Sequence, residues 1–356
     1  MDKMAVCMKV PRKQGQEAIA LANQLGVLDK SLLIKRDQED ICIPLARQLE
    51  ESEVATLKSR FAQYRLETLV FAQKQPTAGT VMQALKGKLP PHLQASLPQA
   101  LDVVGDIAII EIPPKLKPYQ NLIGQSILRI HKNVKTVLSK AGSINGIFRL
   151  RKLTFIAGEE KTQTIHKEFG CQFHVDVAKT YFSPRLSHEH MRVALLAQAG
   201  ETVVDLFAGV GPFSVLIGKR NSSVRVYAID INPNAVELLK VNIRVNRVEN
   251  KVFPVLADAR QITATELRGS ADRVIMNLPE TALDFVDAAC QAIKPEGGII
   301  HFYAFIRSPD STEKQRQQFS EAVEKAGRKC EGVLCAKNVR ETAPYEFQVV
   351  LDVKIA

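Results

Sequence analysis

The chain has 356 residues, 46% hydrophobic and 24% charged, which is typical of globular proteins with room for two or three domains. Its apolar runs are far shorter than a membrane span, and an N-terminus broken by Pro11 is unlike a secretory signal. These features argue against the membrane-spanning and secreted classes and predict a cytoplasmic protein. With 48 Lys and Arg against 38 Asp and Glu, the net charge is +10, which favours a polyanionic partner.

The spacing of cysteines and histidines argues against a metal site or a disulfide framework. The six cysteines include no C-x-x-C pair. The close pairs, His188 with His190 and Cys330 with Cys335, have no second pair at ligand spacing. We therefore expect no bound metal and reduced, mostly buried thiols, with Cys290 as a core residue.

The first 72 residues predict a small mixed α/β domain. Strands are expected at 5–10, 32–35 and 41–45, and an amphipathic helix over 14–25. The segment 73–80 carries the Pro and Gly of a linker, which places the first domain boundary near residue 72.

The segment that follows is strongly basic. Residues 112–158 contain nine Lys or Arg and no Asp or Glu, where about five acids would be expected at the chain-wide frequency. Two interpretations stay open: a solvated basic surface, or a surface that contacts nucleic-acid phosphates through salt-sensitive, sequence-independent binding. We assign residues 73–175 to a basic middle domain.

Residues 176–356 alternate β-branched runs with helical patterns, which predicts a doubly wound parallel sheet. Strands are expected at 202–207, 224–229, 252–256, 273–277 and 299–304, and helices at 234–245, 282–293 and 313–326. Two further strand-like runs, joined by the turn-rich residues 341–345, predict a closing antiparallel hairpin formed by residues 332–338 and 347–355. A closing hairpin after five βα units is unlike a dinucleotide dehydrogenase.

A nucleoside site is predicted at the carboxyl ends of these strands. Residues 205–213 form a glycine turn that leads into a helix and lets a ligand approach the backbone closely. Asp230 ends the second strand, 19 residues beyond Gly211, where a carboxylate can accept both ribose hydroxyls. Asp258 follows the third strand and could accept from an adenine amino group, and Asn277 follows the fourth. Either acid alone could be a helix N-cap, but four such elements at strand ends favour a ligand site.

The pattern favours S-adenosylmethionine over NAD. The third glycine position of a dinucleotide fingerprint is occupied by Ser214, and the region resembles the class I methyltransferase fold. The segment Asn277-Leu-Pro-Glu280 has no nucleophilic Cys, which cytosine-carbon methylation needs, and lacks the aromatic residue of amino-nitrogen methyltransferases. A ring nitrogen is therefore the expected methyl acceptor.

Four motifs carry a family resemblance: Tyr181-Phe-Ser-Pro-Arg-Leu-Ser-His-Glu-His190, Ala157-Gly-Glu-Glu160, Thr164-Ile-His-Lys-Glu168 and Gly105-Asp-Ile-Ala-Ile-Ile110. Together they resemble the tRNA guanine-N1 methyltransferase family of archaea and eukaryotes, which modifies position 37 beside the anticodon. The likeness extends over nearly the whole chain. It includes residues 7–13, which resemble the family's small N-terminal tRNA-reading domain.

The resemblance implies roles for particular side chains. Glu189 would be the general base that removes the N1 proton, Arg149 would stabilise charge developing on O6, and Asn277 would hold the base. Arg185 would contact the flipped nucleotide or its phosphate. Alternatively, Glu189 could pair with Arg185 one helical turn away, and Arg149 could be one more phosphate contact. The residues expected to contact substrate RNA are Arg149, Arg151, Lys152 and Arg185.

The expected cofactor site combines the glycine turn, the strand-end acids and the family motif. His190 would contact the methionine end of S-adenosylmethionine as a donor, and Tyr181 would shape the pocket. The residues expected to bind the cofactor are His190, Tyr181, Asp205, Leu206, Phe207, Gly209, Gly211, Asp230, Ile231, Asp258, Ala259, Asn277, Leu278 and Pro279.

The sequence therefore predicts an α/β enzyme with a tRNA-reading domain (1–72), a basic α+β middle domain (73–175) and a class I, Rossmann-like methyltransferase domain (176–356). It would methylate N1 of guanosine 37 in tRNA, contacting the anticodon stem-loop and the tRNA body, as a monomer without membrane contact. One alternative is a relative that also methylates a tricyclic wyosine precursor at that position. Two others are a non-catalytic RNA-binding protein with a vestigial nucleoside fold and a dehydrogenase.

Overall fold

The computed structural model describes residues 2–36, 39–73, 79–98, 100–307 and 310–356. The chain divides into two compact units, residues 1–83 and 84–356. Residues 74–78 of the predicted linker lie outside the described residues. The predicted domain divisions near residues 72 and 175 stay predictions.

The first unit is a four-stranded antiparallel sheet, in the order β2-β3-β1-β4, with two helices. One face of the first helix is apolar, since Ala18, Leu21 and Ala22 follow helical spacing, and this face is buried. A capping box between Glu50 and Glu53 begins the second helix. The elements are β1 (Asp2–Pro11), α1 (Gly15–Gln24), β2 (Lys35–Arg36), β3 (Asp40–Pro44), α2 (Glu51–Arg60) and β4 (Arg65–Ala72).

The strand predicted at residues 32–35 is wrong. The strand present is Lys35–Arg36, and Leu32 forms only an isolated bridge with Gln73. Leu32 is fully buried in this unit's core, so its apolar character reflects a buried loop rather than a strand.

The second unit begins with short helices and a smaller mixed sheet in the order β5-β6-β7-β8. Its β6 and β7 are parallel and are joined through a helix whose Gly124 packs closely against Ala157. A two-stranded hairpin, β9-β10, follows. The elements are α3 (Val81–Leu85, which crosses the boundary between the units), α4 (Pro91–Gln94), β5 (Leu101–Val104), β6 (Ile107–Ile110), α5 (Gln120–Ile130), β7 (Thr136–Asn145), β8 (Leu150–Gly158), β9 (Gln163–Glu168) and β10 (Cys171–Asp176).

A seven-stranded sheet, in the order β13-β12-β11-β14-β15-β17-β16, forms the rest of the second unit. The first five strands in this order are parallel, and β17 is inserted antiparallel between β15 and β16. The doubly wound sheet and its closing hairpin are confirmed. The elements are α6 (Ser187–Leu196), β11 (Thr202–Asp205), α7 (Pro212–Arg220), β12 (Arg225–Asp230), α8 (Pro233–Asn246), β13 (Val252–Leu256), α9 (Ala259–Ala264), β14 (Arg273–Met276), α10 (Val286–Ala292), β15 (Gly298–Arg307), α11 (Thr312–Lys325), β16 (Cys330–Ala343) and β17 (Glu346–Ile355).

Most element boundaries shift by a few residues from the prediction, and in two places the type of structure changes as well. The first part of the helix predicted at 282–293 is the 3-10 turn Ala282–Phe285, and α10 begins after it. Residues 341–343 belong to β16, so the turn of the closing hairpin is only Pro344 and Tyr345. Tyr345 has a φ of 63°, a left-handed conformation that allows so tight a reversal.

Two asparagines of α8 bind the β9-β10 hairpin to the seven-stranded sheet. Asn242 and Asn246 accept the backbone N–H groups of His174 and Gln172 at 2.7 and 2.9 Å, and their amide groups donate back to the same two residues' carbonyls. Both asparagines are buried. They satisfy backbone groups at the edge of β10 that would otherwise lack partners.

Candidate active site

A cavity of about 450 Å³ lies at the carboxyl ends of β11, β12 and β14, where the strand order of the sheet reverses. Open α/β sheets bind ligands at this position, and the volume suits a nucleoside cofactor. The predicted site residues that line it are Arg149, Tyr181, His190, Leu206, Phe207, Gly209, Asp230, Ile231, Asp258, Ala259, Asn277, Leu278 and Pro279. The predicted site residues outside its lining are Glu189, Asp205, Gly211, Arg151, Lys152 and Arg185.

The two glycines of the turn after β11 have different roles. Gly209 has a φ of 57°, and the nearest atom to a Cβ placed there is the Tyr181 carbonyl oxygen at 3.7 Å. The space beside it is therefore open to a ligand. Gly211 has a φ of 88°, and a Cβ there would collide with Leu239 of α8. Gly211 is thus required for helix packing.

Asp230 lines the cavity and accepts backbone hydrogen bonds with both carboxylate oxygens. Its Oδ2 accepts the Gly209 N–H at 2.7 Å and its Oδ1 accepts the Asn232 N–H at 2.8 Å. Each oxygen keeps a further lone pair for a ligand hydroxyl. Burial raises the pKa of this carboxyl, as expected for a group enclosed at the end of a central strand.

Asp258 is compatible with both interpretations left open by the sequence. It is the N-cap of α9, because its Oδ1 accepts the Arg260 N–H at 2.8 Å, and it also lines the cavity. Arg260 lies 3.7 Å above the ring of Phe285, which contacts Phe207 edge to face at 4.9 Å. Both Arg260 and Phe285 line the cavity. They could not be predicted from the sequence pattern, because neither residue lies at the end of a strand.

Asp205 lies behind the cavity. Its side chain is fully buried, and the Ser214 hydroxyl donates to its Oδ2 at 2.7 Å. Burial raises the pKa of Asp205 to about 7. Ser214, which distinguishes this turn from a dinucleotide fingerprint, thus supplies a hydrogen bond to a buried acid. A direct cofactor contact by Asp205 stays a prediction.

His190 is oriented by a buried carboxylate. Glu168 Oε1 lies 2.7 Å from His190 Nδ1, so a neutral or charged imidazole directs Nδ1–H to Glu168 and leaves Nε2 for a ligand. Glu168 Oε2 lies 3.8 Å from Nε2 of His166, whose Nδ1 accepts the Gly105 N–H at 3.2 Å. Burial lowers the pKa of His166, which favours the neutral form of this second imidazole.

Glu189 is only 3% exposed and is held by four donor atoms. Its Oε1 accepts from Arg192 Nε and Nη2 at 2.9 and 2.6 Å and from the Tyr303 hydroxyl at 2.8 Å, and Lys337 Nζ lies 3.1 Å from Oε2. Burial alone would raise the pKa of Glu189, but the donors, with Arg192 first, hold it below its usual value. The alternative pairing with Arg185 is wrong, because Arg185 Nε donates to Asp102 at 2.6 Å.

A chain of buried ionic contacts continues from Glu189. Arg192 Nη1 donates to Asp352 at 2.5 Å, and the other oxygen of Asp352 lies 2.6 Å from His301 Nδ1. Burial favours the protonated form of Asp352, but His301 and Arg192 outweigh it and lower its pKa to about 2. Arg273 follows His301 at 2.8 Å and pairs with Glu201 at 2.9 Å. No sequence motif indicated this network.

Arg149 reaches the cavity from the β7-β8 hairpin. It has a φ of 55°, the left-handed conformation of a tight turn. Its Nη2 lies 2.7 Å from Glu280 Oε1, and its guanidinium carbon is 5.9 Å from the centre of the Tyr181 ring. The smaller sheet of the second unit therefore places a cation at the cavity mouth.

The remaining predicted RNA contacts lie on or near the smaller sheet. Arg151 and Lys152 are on β8, half-buried and exposed respectively.

Within the part of the chain that the structure describes, no group of His, Cys, Asp and Glu could hold a metal, and no helix has both the length and the apolar character to cross a bilayer. Cys290 is buried in the core, as predicted.

Three family models match successive parts of the chain. They are the tRNA methyltransferase 5 N-terminal domain over residues 7–53, the TYW2 N-terminal domain over 81–162 and the TRM5/TYW2 methyltransferase domain over 164–333. A Pyrococcus abyssi protein named tRNA (guanine(37)-N(1))-methyltransferase Trm5b is 40% identical over 353 residues, 99% of this chain and 100% of the relative.

Two solved structures have the same fold as this chain. The complex of aTrm5 with tRNALeu is similar with a TM-score of 0.70 and 34% identity, over 99% of this chain and 100% of that one. M. jannaschii TYW2 in complex with AdoMet is similar with a TM-score of 0.56 and 29% identity, over 72% of this chain and 99% of that one. The extent of these matches, at the identity found, shows that the chain belongs to the TRM5/TYW2 methyltransferase family.

Proposed function

We propose that this protein transfers a methyl group from S-adenosylmethionine to N1 of guanosine 37 in tRNA. The observation that carries the proposal is a single cavity lined both by nucleoside-binding groups, Gly209 and Asp230, and by two base-directed polar groups, Arg149 and Asn277. The full-length relative at 40% identity carries the name of this activity.

The residues present suit the cofactor. Gly209 leaves open space beside the backbone, Asp230 offers carboxylate oxygens for ribose hydroxyls, and Ile231 and Phe207 offer apolar surface to an adenine ring. His190 directs Nε2 to the methionine end. When bound, S-adenosylmethionine supplies an electrophilic methyl group.

The chain's own residues manage the charge and the proton. Guanine N1 loses its proton as it takes the methyl group, and negative charge then develops on O6. Arg149 stabilises that charge by exchanging its partner Glu280 for the base oxygen. Glu189 lies outside the cavity lining, so it would receive the proton only at Oε2 and only after Lys337, which is 42% exposed, has withdrawn from that oxygen. Oε1 is occupied by Arg192 and Tyr303.

The basic surface supports tRNA as the partner. Arg151 and Lys152 lie on the same strand as the Arg149 turn, so phosphate contacts there would bring an anticodon loop towards the cavity. We further propose that residues 1–72 read the tRNA body, that the anticodon stem-loop enters beside residues 73–175, and that residues 176–356 methylate it. The enzyme then acts as a cytoplasmic monomer.

Methyl transfer to defined tRNA transcripts tests the proposal. The protein is incubated with methyl-labelled S-adenosylmethionine and unmodified transcripts that differ only in carrying guanosine or adenosine at position 37. The expected product is 1-methylguanosine, formed only on the first transcript. Label transfer that is indifferent to base 37 would contradict the assignment.

A second activity is favoured by one observation, the 35% identity over 73% of this chain to a Saccharolobus solfataricus protein named tRNA 4-demethylwyosine(37)-methyltransferase Taw21. A tRNA that carries the tricyclic wyosine precursor at position 37 should therefore be assayed in parallel. Methylation of both tRNAs indicates a bifunctional enzyme, and methylation of the guanosine transcript alone indicates a single substrate.

A further inference from the structure

Asn277 is held by a hydrogen-bond relay that begins on the closing hairpin. Arg340 of β16 donates from Nε to Gln348 Oε1 at 2.8 Å, and Gln348 Nε2 donates to Asn277 Oδ1 at 3.1 Å. Gln348 is 1% exposed and lines the cavity together with Asn277. A buried amide with both ends engaged has a fixed orientation.

The direction of the relay follows from chemistry alone. An arginine has donors and no acceptor, so Gln348 must turn its oxygen to Arg340 and its NH2 group to Asn277. Asn277 must then turn its oxygen to Gln348. Among the described residues, no acceptor forms a hydrogen bond with Asn277 Nδ2, which leaves this donor for a ligand.

Arg340 is itself immobilised by the cavity wall. Its Nη1 donates to the Ser183 hydroxyl at 2.7 Å and its Nη2 to the Tyr181 hydroxyl at 3.3 Å. Its three nitrogen atoms thus contact Gln348 and the loop before α6. Rotation of the Gln348 amide would break its hydrogen bond with Arg340, and Arg340 could not follow because it is also bound to Ser183 and Tyr181.

We propose that Gln348, fixed by Arg340, is a positioning residue that makes Asn277 a hydrogen-bond donor and so selects a 6-oxopurine over a 6-aminopurine. Guanine presents an acceptor oxygen at position 6, whereas adenine presents an amino donor there. The NH2 group of Asn277, facing that position, can donate a hydrogen bond to guanine O6. With adenine the same group would face the amino group, so that two donors would oppose each other. Since the oxygen has two lone pairs, Arg149 and Asn277 can both donate to it. The inference rests on the proposed function and adds how this site distinguishes the two bases.

The substitution Gln348→Glu tests the direction of the relay. A carboxylate accepts from Arg340 and also from the Asn277 NH2 group, so Asn277 turns its oxygen towards the base. Gln348→Met removes the constraint without imposing the opposite one. Gln315→Glu places a new carboxylate at a buried position on α11 and serves as the matched control.

Two readouts are needed. Single-turnover methyl transfer to the guanosine-37 transcript should fall about tenfold or more in Gln348→Glu, less in Gln348→Met, and stay unchanged in Gln315→Glu. Affinities for guanosine-37 and adenosine-37 transcripts are measured with S-adenosylhomocysteine present. The preference for guanosine should shrink in the order wild type, Gln348→Met, Gln348→Glu, a change that a general loss of structure does not produce.

The outcomes separate this inference from the proposed function. A wild-type protein that fails to methylate guanosine 37 refutes the proposed function. The inference is overturned if the wild-type protein methylates guanosine 37 and both Gln348→Met and Gln348→Glu keep the wild-type preference for guanosine over adenosine. If Gln348→Glu does not fold, Arg340→Met takes its place, because it frees Gln348 to rotate at a half-buried strand position. Undiminished base preference in Arg340→Met would then overturn the inference.

Discussion

Replacing Glu189 by glutamine should separate its chemical role from its structural one. The carboxylate accepts from four donor atoms, and the NH2 group of the introduced amide would face the Lys337 ammonium, which leaves two donors opposed. Breaking a buried ion pair typically costs about 3–5 kcal/mol. Arg192 keeps Asp352 as a partner and its side chain is 21% exposed, so we expect a loss of about 2–3 kcal/mol. The melting temperature should fall by about 5 °C.

The two effects have different signatures in solution. Because the pKa of Glu189 is lowered on folding, its stabilising effect is present above about pH 4.5 and is lost as pH falls through the folded value. The stability gap between wild type and Glu189→Gln should therefore narrow on acidification. Cofactor affinity, measured calorimetrically, should be unchanged, since Glu189 does not line the cavity. The single-turnover rate should fall by about 10²–10⁴.

Asp352→Asn is the matched control for this experiment. It removes the other carboxylate that holds Arg192 and should destabilise the fold to a similar degree, while leaving Glu189 in place. Its methyl-transfer rate should stay within about tenfold of wild type. Equal rate losses in the two variants would refute the assignment of Glu189 as the base and make it a structural residue.

Three further predictions concern the cofactor domain and the basic surface. Because folding raises the pKa of Asp205 from 3.8 to about 7, the folded state binds the extra proton between these values, and stability should fall with rising pH across that window. Asp205→Asn should reduce the pH dependence of the urea-unfolding free energy between about pH 4 and 7, and an unchanged slope would contradict this. Gly211→Ala should lower the unfolding free energy by more than about 2 kcal/mol through its collision with Leu239, whereas Gly209→Ala should mainly weaken cofactor binding; equal melting temperatures would contradict this. Raising salt should weaken tRNA binding steeply and cofactor binding little. If both affinities fall in parallel, the concentration of basic residues in 112–158 has no functional role.

The central parallel strands could be predicted from sequence because they are buried on both faces. Continuous apolar runs mark such strands, and β14, in which all four residues are buried, was predicted at residues 273–277 and is observed at Arg273–Met276. Leu32 shows where this signal fails, since a buried loop residue is as apolar as a strand residue. The β9-β10 hairpin was not predicted, because its strands are stabilised by Asn242 and Asn246 from a distant helix rather than by a local pattern.

The same distinction applies to the site. Asp230, Asp258 and Asn277 could be placed together in advance, because the carboxyl ends of parallel strands meet at one edge whatever the side chains are. Gln348 and Asp352 could not be placed there in this way. They reach Asn277 and Arg192 only because β17 inserts between β15 and β16, and an antiparallel register across 71 or 160 residues of sequence has no local signature.

The basic run at residues 112–158 has a more specific meaning in three dimensions than its charge count suggests. Among the ion pairs of the described residues, two members of the run contact carboxylates from outside it: Lys140 lies 3.8 Å from Asp102, and Arg149 lies 2.7 Å from Glu280. Arg149, the member of the run that lines the cavity, is thus paired before any substrate arrives. Its pairing with a half-exposed carboxylate contributes little stability, so a base oxygen that acquires negative charge can displace Glu280 at small cost. Arg149 is in this way both held at the mouth of the cavity and available to the reaction.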